Sequence, residues 1–110
     1  MDFVLADQQP EDLLQELADC QGHVRECEWR EARSKAYFHS KEAALMVVLK
    51  KEGHPIDIAK GLVKGDEAWK EDYKEYLKHA LALQAAKDAK ERARVAIDLW
   101  QTCRADLRRV

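Results

Sequence analysis

The chain has 110 residues, 19 basic and 21 acidic, with a net charge of −2; 46% are hydrophobic and 36% charged. That length bounds one domain and excludes two independent cores. The charge balance excludes bulk attraction to DNA or anionic lipid, and no apolar run approaches the roughly 20 residues that span a bilayer.

Four glycines, two prolines and abundant Ala, Glu, Lys, Leu and Arg, with no sustained alternation, predict an all-α fold. Residues 1–9 are expected to be a short lead whose Phe3, Val4 and Leu5 could dock elsewhere. Asp2, Asp7, Glu11, Asp12, Glu16 and Asp19 make this end acidic. Pro10 suits a first helical turn, with Glu11 and Asp12 following where the helix dipole favours negative charge. A helix is then expected over about 10–52, interrupted only by Gly22, which costs about 1 kcal/mol against Ala. Gly53 supplies a C-cap, and Pro55 prevents continuation.

Residues 56–63 predict a short connecting helix ended by Gly65. Asp66 is a natural N-cap for a second long helix over 66–109. Its end is basic (Lys87, Lys90, Arg92, Arg94, Arg104, Arg108 and Arg109), which suits an antiparallel helical hairpin that returns to the acidic start. Each long helix would run roughly 60 Å.

On the last helix Ala82, Ala86, Ala89, Ala93, Ala96, Trp100, Cys103 and Leu107 follow a 4-3-4-3 spacing, a seam built mainly from alanine. On the first, Leu13, Leu17, Cys20, Val24 and Cys27 begin a matching seam, with Phe38, Leu45 and Val48 later. Glu31, Ser34 and Lys41 interrupt it, so the seam is expected to shift to Ala32, Ala36 and Ala43, beside Trp29 and Met46. If Glu52 and Asp66 flank the turn, residue n faces about 118−n. That sets Trp100 against Ala18 and Gly22, Ala82 against Ala36, and Ala86 against Ala32. A second stripe, Trp69, Tyr73, Tyr76, Ala80 and Leu83, exceeds what one helix pair can bury. Ile56, Ile58, Leu62 and Val63 are expected to cover part of it, and a homodimeric helical bundle the rest.

Chemistry is sparse. Cys20, His23 and Cys27 share one helix side but lack the tight CxxC turn of structural zinc sites, and the cysteines fall on the seam. They read as thiols in the core, with His23 at the surface. His39 and His79 come near each other in that register, yet read as packing residues. No nucleophile elbow, phosphate loop or HExxH is present. Glu67, Glu71 and Glu75 beside Lys70, Lys74 and Lys78 form a solvated, ion-paired face. The stretch from Ile58 to Leu77 has a helix-turn-helix outline, but Asp66, Glu67, Glu71 and Asp72 would turn negative charge toward phosphates. No catalytic residue, metal or cofactor is expected. Three cysteines behind an acidic start that lacks an apolar signal segment predict free thiols in a reducing cytoplasm.

One pattern goes beyond composition. Tyr37-Phe38 through Ala43-Ala44-Leu45 leads to Leu49-Lys50-Lys51-Glu52-Gly53-His54-Pro55, then Ile58-Ala59-Lys60-Gly61. Tyr73 to Leu77, an Ala-rich run from Ala80 to Ala89, and a tail from Leu99 to Arg109 follow. Over about residues 30–110 this resembles a group of small all-helical bacteriophage and prophage accessory proteins, often encoded near single-strand annealing recombination genes. Thr102 stands where that group commonly has Ser. The resemblance implies an accessory protein in the host cytoplasm and brings no catalytic residues.

The leading expectation is therefore a non-enzymatic protein that binds itself and an unidentified protein through Trp29, Phe38, Trp69, Tyr73 and Tyr76. A less favoured alternative is a contact with single-stranded DNA through Lys70, Lys74, Lys78, Lys87, Lys90 and Arg94 beside the aromatics. A third is inhibition of a host defence complex, with the acids of residues 2–19 imitating nucleic acid. No membrane role is expected.

Overall fold

A computed structural model describes residues 9–108, so Phe3, Val4 and Leu5 of the expected lead lie outside the described residues. Within them the fold is all-α, with no strand: α1 (Pro10–Lys51), α2 (Ile56–Gly65) and α3 (Glu67–Arg108). The long helices α1 and α3 pack against each other as a hairpin.

Local chemistry places the boundaries. The Gln9 carbonyl accepts the amides of Asp12 and Leu13 at 3.1 and 3.3 Å, which starts α1. Gly53 adopts φ 89°, a left-handed conformation that costs a side-chain-bearing residue about 1–2 kcal/mol. There the Gly53 amide donates to the Lys50 carbonyl and the His54 amide to the Leu49 carbonyl, the paired bonds of a Schellman cap. Pro55 is extended and precedes α2. That helix runs two residues past the expected end, because Gly65 stays helical and Asp66 makes the break with φ −70° and ψ 132°. The Asp66 carboxylate then accepts the Trp69 amide at 3.0 Å, the N-cap its side chain predicts.

The chain divides into two compact units. One joins α1 as far as Cys27 to α3 from Leu83; the other is Glu28–Ala82. In the first, Val24, Cys27 and Ala86 form the core, with Leu83 packed on it, and Leu13 and Ala93 are also buried. The alanine seam is thus present, with Ala89, Ala96, Trp100 and Cys103 half-buried along it. Its ends differ from expectation. Leu83 takes the place of the exposed Ala82, and Leu107 is exposed. Trp100 does not sit on Gly22, where an added Cβ would meet nothing within 4 Å. It lines a small hollow with Pro10, Leu13, Leu14 and Ile97 instead. Gly22→Ala should therefore raise stability by about 1 kcal/mol in urea titrations, the helix-propensity difference at an open site; a loss would mean that something approaches this backbone closely.

In the second unit the core is Phe38 from α1 and Ala59 and Val63 from α2. The α1 seam does not change face. It passes straight from Cys27 through half-buried Glu31 and Ser34 to Phe38, while Ala32, Ala36 and Ala43 are exposed and so is Val48. Seam position outweighs residue polarity here, because the aliphatic part of Glu31 can be covered while its carboxylate reaches water.

The register also needs correction. Val24 packs with Ala86 in the first unit, and Glu42 bonds Trp69 in the second, so residue n faces roughly 111−n. The displacement from 118−n is about seven residues, or two turns and ~10 Å. Its cause is α2, which doubles back along the end of α1: Lys60, Val63 and Lys64 line a hollow with Glu42 and Met46, and Gly61 and Leu62 another with Leu45 and Leu49. Residues spent retracing α1 lower the level at which α3 begins. Leu83→Cys should accordingly cross-link to Cys27 on oxidation once Cys20 and Cys103 are serine, whereas cysteines at 36 and 82 should not; the opposite pattern would restore the longer register.

Candidate interaction surface

Three of the five aromatic contact candidates gather around a fourth. Phe38, only 6% exposed, has ring centroids of Trp69, Tyr73 and Tyr76 at 5.4, 5.6 and 6.1 Å. Trp69 stacks on Tyr73 at 5.2 Å, and its indole N–H donates to Glu42 Oε2 at 2.9 Å. Trp69 and Tyr76 lie on the α3 face that meets α1, so the stripe is covered largely within the chain and Phe38 is core. The expected cover by α2 is different as well. Ile56, Ile58 and Leu62 are exposed, and α2 packs through Ala59 and Val63.

Trp29 is the most open candidate, at 61% exposure, and Tyr73 is exposed at 38%. It begins a row along α1 at four-residue spacing: Trp29, Arg33, Tyr37, Lys41. The Arg33 guanidinium lies 5.3 Å from the Trp29 ring centre and Lys41 Nζ 4.6 Å from that of Tyr37. Lys41 also reaches Asp72 at 3.5 Å; its hydrogen bond to Tyr37, and then Asp72, hold its pKa above the ordinary lysine value. Cations over indole and phenol faces contribute about 0.5–1 kcal/mol each at exposed sites and order both side chains. Beside this row is a hollow of about 490 Å³ lined by Trp29, Arg30, Arg33, Ser34, Tyr37 and His79. Arg30, Arg33 and Tyr37 escape a reading that sorts residues by apolar periodicity. For Arg33 and Tyr37 the signal is the i, i+4 alternation of aromatic and cation, which is plain in the sequence once sought.

Four of the six candidate nucleic-acid cations are placed beside acids. Lys70, Lys74 and Lys78 lie 3.4, 3.4 and 3.6 Å from Glu67, Glu71 and Glu75. Arg94 is held between Glu91 and Asp98, raising its pKa and lowering that of Glu91. Lys87 is exposed and Lys90 half-buried. Such i, i+3 and i, i+4 pairs leave little local net charge for phosphates to meet.

His39 and His79 keep separate carboxylate neighbours, Glu42 at 3.8 Å and Glu75 at 3.5 Å. Cys27 Sγ is 3.7 Å from His23 Nε2, and Cys20, Cys27 and Cys103 are all free thiols. Among the described residues no cluster of three His, Cys, Asp or Glu side chains could hold a metal ion, and no helix is long and apolar enough to cross a membrane. Comparison of the chain with family models, curated proteins and solved structures finds no match.

Proposed function

We propose that this chain is a phage-type accessory protein of the host cytoplasm that performs no chemistry of its own and acts by binding itself and another protein. The observation that carries this reading is the exposure of large apolar side chains on a frame with a thin core. Trp29, Tyr37, Leu14, Leu81, Ile56 and Ile58 are each more than half exposed, while three of the buried hydrophobic positions are alanines. Contiguous apolar surface marks contact sites, and among these residues Trp29 and Tyr37 line one hollow. The resemblance of residues 30–110 to phage accessory proteins agrees with it. Contact with single-stranded DNA through Lys70, Lys74, Lys78, Lys87, Lys90 and Arg94 is the weaker reading, since four of the six, Lys70, Lys74, Lys78 and Arg94, have a carboxylate beside them.

Sedimentation equilibrium tests the first half: a mass above 12.7 kDa is expected, and a monomer at all concentrations removes self-association. Affinity capture from the native host, with mass identification of what is retained, tests the second. No retained protein removes it.

A further inference from the structure

Where α1 ends and α2 begins, the second unit carries an apolar face that α2 leaves open. Two hollows adjoin there, since Leu45 and Asp66 line both. One, of about 310 Å³, has Ala44, Leu45, Val48 and Ala68 in its wall. The other, of about 490 Å³, is edged by Leu49 and Leu62. Ile58 precedes Leu62 by one helical turn, so the two form a ridge on α2. Ile58, Leu62, Val48, Ala44 and Ala68 are all exposed. Lys60 and Lys64 stay clear of this ridge, because they line a separate hollow with Glu42 and Met46. The charged groups at the edge of the face are taken up within the chain. Lys41 Nζ lies 3.5 Å from Asp72, the Asp66 carboxylate accepts the Trp69 amide, and Glu52 has His54 at 3.5 Å. An occupant should therefore be apolar and need bring no charge.

We propose that the Ile58–Leu62 ridge of one copy seats in the hollow at Ala44, Val48 and Ala68 of a second copy. This rests on the self-association proposed above and assigns its surface. Ridge and hollow lie side by side on one face, which is the arrangement a two-fold pair uses. An axis between them sets each ridge over the other copy's hollow, so each copy gives one ridge and receives one. Charge agrees with this occupant. A face that met itself with unpaired cations would repel its copy, whereas here Lys41 already has Asp72 and Asp66 already caps α3. The small side chains of Ala44 and Ala68 leave room for the larger Ile58 and Leu62.

The test is sedimentation equilibrium on wild type and two pairs of substitutions. Wild type is expected to dimerise. Ile58→Glu/Leu62→Glu should weaken the dimer by about a hundredfold or more, because it drives unpaired carboxylates into an apolar hollow. Ala44→Arg/Ala68→Arg should do the same by placing bulk and charge in that hollow. Circular dichroism should show both still helical, as all four positions are exposed. An equimolar mixture of the two should recover a heterodimer, since one contact is then native and the other sets Glu against Arg. Leu81→Glu is the control: Leu81 is 71% exposed but about 20 Å along α3 from Ala68, so the dimer should persist. Dimers that survive Ile58→Glu/Leu62→Glu, or a mixture that stays monomeric, overturn this interface while leaving self-association standing. A monomeric wild type overturns both and leaves the face to an apolar partner of another kind.

Discussion

Phe38→Ala is expected to cost about 3–5 kcal/mol, the usual range for removing a buried phenylalanine, and to take the largest side chain out of the second unit's core. The ring is 6% exposed and is the one member of the aromatic group that approaches Trp69, Tyr73 and Tyr76 together. Its loss removes the transfer energy of the ring, opens a cavity, and forfeits aromatic pairs worth about 0.5–1.5 kcal/mol each. The surroundings cannot close over the gap easily. Trp69 is tied to Glu42 by its indole N–H, and its backbone amide is tied to the Asp66 cap. Folded domains have only about 5–15 kcal/mol in hand, so the variant should melt far below wild type and lose its near-ultraviolet aromatic signal. Phe38→Leu should recover more than half of the loss. A cost under about 1 kcal/mol for Phe38→Ala would show that the ring is not the hub of this unit.

That hub explains what could and could not be read from residues alone. Boundaries are written locally: Pro10, Gly53, Pro55 and Asp66 each act through backbone geometry or one hydrogen bond within a few residues. The alanine seam from Ala86 to Ala96 is legible for the same reason, since heptad spacing is a property of one helix. Register is different. It depends on how far α2 retraces α1, and nothing near Gly53 or Asp66 states that Ala59 and Val63 will face α1 rather than the aromatic stripe. Glu31 and Ser34 mislead because polarity is assigned per residue, whereas burial at a seam edge is decided per atom. In the candidate site, Trp29 is legible as an exposed aromatic. Arg33, Tyr37 and Lys41 need the cation–aromatic spacing to be sought in its own right.

The second large effect should come from Ala59, the most deeply buried of the core residues at 0% exposure. Ala59→Leu should cost about 1–3 kcal/mol by overpacking, and the damage should travel. Val63, one turn further along α2, also faces the end of α1, so lifting α2 at Ala59 loosens that contact as well. Asp66 follows α2 directly and caps α3, and Trp69 in the first turn of α3 holds Glu42 of α1. A strained α2 should therefore slacken the Trp69–Glu42 bond without touching either residue. With Trp29 and Trp100 replaced by phenylalanine, Trp69 fluorescence should shift to the red and become easier to quench in Ala59→Leu. Ala59→Gly separates the two causes. It weakens the helix by about 1 kcal/mol but adds no bulk, so the protein should be less stable with Trp69 emission unchanged. Equal shifts in both variants would mean that α2 does not set the register of α3 on α1.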